Sequence, residues 1–215
     1  MSFKVTLISA GTLLLVCRLL IAGHLGRARR LRRKEFIRSY VFPASALAGL
    51  VERHPHLSEE GQLRVAQALR DFFVVRLRVG NRLIGMPSRV ADDLWHEFIL
   101  DTREYERFCK AAFGGFFHHV PAAANPPGRK MDAALRMTWR CACFAEGIQP
   151  LSPAKLPLLF RIDRELQIAN GQSFINWLLA PPRTKHAEGG GCSSGDSHSG
   201  GCGGHGGCSG GCGGH

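Results

Sequence analysis

The chain has 215 residues, 45% of them hydrophobic, and a formal net charge of +11. That length and apolar share give one ordinary domain with extensions and enough material for a packed core, which excludes a chain that stays unfolded throughout. Eight basic side chains (Lys4, Arg18, Arg27, Arg29, Arg30, Arg32, Arg33, Lys34) precede the first acid, Glu35, and taking those eight from +11 leaves +3 for residues 35–215. The basicity is therefore a flank suited to a membrane surface, and nucleic acid is not expected as a partner.

Residues 5–23, VTLISAGTLLLVCRLLIAG, come close to the ~20 apolar residues that a bilayer-spanning helix needs. Arg18 lies near one end, where it can snorkel toward the headgroups. A secretory signal carries its charge ahead of the apolar run, whereas here RARRLRRK follows it. By the positive-inside rule the flank stays in the cytoplasm and the N-terminus lies outside. Residues 1–26 are thus expected to be a transmembrane anchor and 27–34 a basic juxtamembrane flank. An Arg-rich organellar transit peptide and a buried core helix are the competing readings.

From residue 34 to 180 the pattern is helical, with no run of period-two strands. A first helix covers about 34–42 and stops or bends at Pro43, and residues 44–53 continue it. Ser58 caps the next, with Glu59 and Glu60 in its first turn and an apolar stripe of Leu63, Ala66, Leu69, Phe73 and Leu77; Gly80-Asn81 ends it. Pro87-Ser88 opens a third that runs toward Phe113 and stops at Gly114-Gly115. A fourth covers about 130–146, and a fifth runs from Ser152-Pro153 to Ala169, before Asn170-Gly171. The expected fold is all-α, a compact bundle of about five helices over 35–180.

The segment 92–121, DDLWHEFILDTREYERFCKAAFGGFFHHVP, is the densest in side chains that ligate, titrate or stack. On a helical projection Leu94, Phe98, Tyr105, Phe108 and Ala112 form a core stripe, while Asp92, His96 and Arg103 lie opposite. Asp92 and His96 are four residues apart, so the carboxylate can support the imidazole. Asp101 falls within the stripe. Either the helix breaks at Leu100 and Asp101 caps a new one with Glu104 in a capping box, or Asp101 is buried against His118, His119 or an arginine. Adjacent histidines point in different directions, so only one of His118 and His119 should enter a shared site. A metal site joining His96 to that residue competes with plain structural histidines. Such a site needs three or four ligands, and Cys109 lies some way around from His96.

Trp95-His96, Ile99 to Thr102, Tyr105, Cys109, Gly114-Gly115 and His118 to Pro121 resemble the glycine-rich domain-containing protein-like family, with its WHxHxL…Y…C…G…H pattern. LPLLFRIDRELQIANG at 156–171 is similar to the stretch that follows in bacterial members, and the resemblance covers roughly 40–175. It implies a fold more than an activity. Phe98 stands where the pattern has its second histidine.

Residues 181–215 form a Gly/Cys/His-rich tail; from 189 onward it has 14 glycines, four cysteines and three histidines. It cannot bury enough surface to offset its chain entropy, so disorder is expected. Cys202, His205, Cys208, Cys212 and His215 follow a C-x2-H-x2-C-x3-C-x2-H spacing that suits zinc or a similar soft ion, against a plain flexible tract without a fixed ligand. Cys141 and Cys143 diverge on a helix and read as packing.

With the resemblance to bacterial members, these features lead to the expectation of a single-pass protein of the bacterial inner membrane, anchored through residues 5–23, with its helical domain in the cytoplasm. A non-enzymatic interaction domain that binds a protein partner and carries a metal-prone tail is the first reading. A metal-dependent enzyme with its site around His96 and His118 or His119 is the alternative.

Overall fold

A computed structural model describes residues 10–119 and 129–172. Its described residues form seven helices and no strands: α1 (Ala10–Ser39), α2 (Ala44–Arg53), α3 (Glu59–Val79), α4 (Arg89–Leu100), α5 (Thr102–Phe113), α6 (Arg129–Glu146) and α7 (Leu158–Glu165). The protein is all-α, as its periodicity indicates.

The largest departure from the sequence reading is α1. Where the sequence suggests an anchor followed by a separate helix from residue 34, one 30-residue helix runs through both. No Gly or Pro interrupts residues 27–39, so nothing local breaks it after the apolar run. Leu13, Leu14, Leu15, Val16, Leu19, Leu20, Ile21 and Leu25 are all exposed, and the apolar stretch is long enough to cross a membrane. Farther along, Ile37 is fully buried and Phe36 packs against the core, with α3 and α5 as neighbours. Arg33 donates to the Phe113 carbonyl at 3.1 Å, where α5 ends. The short link before α2 is tied down twice: Tyr40 donates to Glu104 at 2.9 Å, and Arg70 donates to the Tyr40 carbonyl at 2.9 Å.

Local chemistry sets most other ends. Ser58 caps α3 by accepting from Gly61 N at 3.2 Å, and Ser88 caps α4 by accepting from Ala91 N. Asp101 breaks α4 from α5 and accepts from Glu104 N at 3.3 Å, which settles its role as a cap. Glu104 instead turns its carboxylate to Tyr40 and Arg107. The expected stripe of Leu94, Phe98, Tyr105, Phe108 and Ala112 is buried, but Leu63 of the α3 stripe is 61% exposed. The last helix is shorter than its pattern suggests. Pro157 starts it late, and Gln167 and Asn170 adopt left-handed backbone with φ of 52° and 57°.

Helix α3 is central, with Phe72 and Phe73 inside a cluster of rings that includes Phe36, Trp95, Phe98, Phe108 and Phe117. Helices α2 and α4 approach closely because Gly49 lies against Glu97, and Arg53 pairs with Glu97 at 2.7 Å. Helix α7 is held by Asp163, a buried carboxylate at 3% exposure. One oxygen accepts from Ser88 Oγ at 2.7 Å and Val90 N at 3.2 Å; the other accepts from Arg89 N at 2.7 Å and Gln172 N at 3.0 Å. A residue of α7 thus caps the N-terminus of α4, where a negative charge also meets the favourable end of the helix dipole.

Candidate functional site

With its first turn fixed by Ser88 and Asp163, α4 presents Asp92 and, one turn on, His96. The Asp92 carboxylate lies 3.7 Å from His96 Nδ1 through Oδ2 and 2.9 Å from His119 Nε2 through Oδ1. Ligand atoms from all three residues fall within 4.8 Å of one another.

His119 arrives by a chain reversal. Gly114 ends α5 at φ 83°, a left-handed conformation that favours glycine, and its N–H bonds back to the Cys109 and Lys110 carbonyls. The returning strand of chain then lies over α4. Phe117 stacks on Trp95 with centroids 5.0 Å apart and planes 27° from parallel, and Tyr105 donates its hydroxyl to the Phe117 carbonyl. Trp95 Nε1 donates to the same Tyr105 oxygen at 3.1 Å. Burial, with Cys109 alongside, pushes the Tyr105 hydroxyl far above its ordinary range, so it keeps the proton that it donates. The His119 and Trp95 rings pack nearly perpendicular with centroids 4.4 Å apart, and the His119 ring centroid lies 4.2 Å from that of His96.

Of the histidine pair, His119 joins the cluster, its side chain only 9% exposed. His118 is exposed with its ring 4.8 Å from Phe116. Cys109 is fully buried in the core, and burial raises its thiol pKa, so it is a packed thiol and not a neighbouring ligand. Cys141 and Cys143 are likewise buried, with the Cys143 thiol pushed up to about 12 by burial and by Glu146. The ligand set Cys202, His205, Cys208, Cys212 and His215 lies outside the described residues.

The sequence reading paired Asp92 with His96 but did not see that it also meets His119. It also missed His54, whose Nε2 lies 2.9 Å from Asp93 Oδ2 in a half-buried pair beside α2. Consecutive acids on α4 therefore serve separate histidines, Asp92 meeting His96 and His119 and Asp93 meeting His54, since successive residues point about 100° apart around a helix. A further feature sits where α1 meets the domain: an open cavity of about 270 Å³ lined by Arg29, Arg30 and Arg33 of α1, Arg76 and Asn81, and Phe113.

Residues 32–193 match the family model described as UCP032817-like. No curated protein and no solved structure matches the chain.

Proposed function

The chain belongs to the UCP032817-like family, whose description names no activity, and from that premise we propose that it is a single-pass membrane protein whose helical domain works as an interaction module on the basic side of its anchor. One observation carries this reading: the exposed apolar half of α1 continues without a break into a basic half that packs on α3 and α5. An apolar helix left bare on all sides is stable in lipid and costly in water. The arginines that follow it keep their side of the membrane cytoplasmic, and in a bacterial cell that membrane is the inner one. Arg29, Arg30 and Arg33 gather with Arg76 at the base of the anchor, where they meet anionic headgroups.

The test compares the full chain with one lacking residues 1–24. The full chain should pellet with membranes and resist salt extraction, and the shortened chain should be soluble and folded. A full-length chain that fractionates as soluble in detergent-free buffer overturns the anchor. Proteolysis of the domain from outside intact spheroplasts overturns its orientation.

A further inference from the structure

We propose that Asp92, His96 and His119 form a binding site for one divalent first-row transition ion such as zinc, on the domain and separate from the tail. This goes beyond the anchored-module reading and does not depend on it.

Three independent features converge there. The ligand chemistry is right: two imidazoles and one carboxylate suit borderline ions such as zinc, cobalt or ferrous iron better than magnesium or calcium, which take oxygen ligands. The spacing is also right. Two ligands each ~2.1 Å from a tetrahedral ion stand ~3.4 Å apart, and the Asp92 oxygens lie 2.9 Å from His119 and 3.7 Å from His96, so small rotations would bring these three ligands to one ion. Finally, the ligands are held. Asp92 and His96 share one face of α4, and His119 is seated by the Trp95 ring and by the Tyr105 hydroxyl that fixes Phe117 two residues earlier. Metal sites depend on such supporting contacts to aim their ligands.

The cluster is closed on one side and open on the other. The His119 side chain is 9% exposed and that of His96 40%, so an ion reaches the site from solvent and keeps water in its remaining positions. Three protein ligands with an open position is the pattern of a reactive zinc site, whereas structural zinc takes four. The contact between Asp92 and His119, at 2.9 Å, holds two of the ligands together.

The experiment uses the full chain in detergent, with Cys192, Cys202, Cys208 and Cys212 changed to Ser and His186, His198, His205 and His215 to Ala so that the tail offers no cysteine or histidine ligand. After chelator treatment, this parent should take up about one zinc per chain by equilibrium dialysis with elemental analysis, and cobalt should give the weak visible bands of nitrogen and oxygen ligation. His96→Ala should raise the zinc dissociation constant at least about tenfold. Because His96 is partly exposed, the metal-free variant should melt with the parent, which separates lost ligation from lost folding. His118→Ala should bind as the parent does. The proposal is overturned if the parent retains no zinc at micromolar concentration, if His96→Ala binds as tightly as the parent, or if His118→Ala loses the ion.

Discussion

Replacing Asp163 by Asn changes almost no volume, yet the geometry around it predicts a large loss of stability. Four donors converge on its two oxygens: Ser88 Oγ, Val90 N, Arg89 N and Gln172 N. An amide keeps one oxygen and turns the other position into a donor. If the oxygen stays with Ser88 and Val90, then Arg89 N and Gln172 N each face an N–H group in a site that is 3% exposed. A buried group left without its partner costs about 1–3 kcal/mol, and losing a carboxylate at the start of α4 adds about 0.3–1 kcal/mol. With two groups affected the sum is about 2–7 kcal/mol, a large part of a domain's total stability. At about 2–4 °C per kcal/mol for a chain of this size, the melting temperature should fall by about 4–28 °C. Thermal melts followed by circular dichroism in detergent measure this directly. Ser88→Ala removes one donor and the cap on Ala91 N, worth about 0.5–2 kcal/mol, but leaves the carboxylate its three other donors, so its drop should be smaller. A melting temperature for Asp163→Asn within scatter of the wild type would refute the reasoning, since it would mean that α4 does not depend on a cap supplied by α7.

Trp95 is 4% exposed and touches Phe72, Phe73, Phe117 and His119, so Trp95→Ala should cost about 3–5 kcal/mol, read as a sharp fall in melting temperature. Burial pushes the Asp71 carboxyl up to about 6 from 3.8, against the opposing bond from Gln67. The folded state then holds this proton more tightly than the unfolded state, so its stabilisation is full below about pH 4 and is lost as pH rises through about 6, a change of about 2–3 kcal/mol. Asp71→Asn should accordingly melt higher than the wild type at about pH 8 and alongside it at about pH 4; equal melting at both would remove the effect. A peptide of residues 189–215 should bind zinc under reducing conditions with modest affinity that weakens below neutral pH, and its four-serine version should bind less well; equal binding leaves only a thiol-bearing extension.

What the sequence disclosed is what short-range rules govern. Ser58, Asp101 and Gly114 act on backbone groups within five residues, so their composition and position state their roles. The Leu94 to Ala112 stripe is legible for the same reason, because helical period alone decides it. Asp163 could not be read this way, since its partners Ser88 to Val90 lie more than 70 residues away. Its place in the LPLLFRIDRELQIANG stretch marked it without explaining it. The site behaves similarly: the contact between Asp92 and His96 follows from their spacing, whereas the arrival of His119 depends on a reversal at Gly114 and on a ring stack against Trp95. Glu104 fulfils the sequence signature of a capping box, but the tertiary fold supplies Tyr40 and wins its carboxylate.

The unbroken course of α1 has a mechanical meaning. A helix rises about 1.5 Å per residue, so its 30 residues make a rod about 45 Å long, with one end in the apolar run and the other wedged into the domain at Ile37. A flexible tether would let the domain sweep a wide volume, but a rod with no joint does not. With the apolar end in a bilayer, as proposed, its tilt or rotation would pass directly to α3 and α5, as when bilayer thickness changes. Two copies that paired through their apolar ends would hold their domains at one fixed mutual angle.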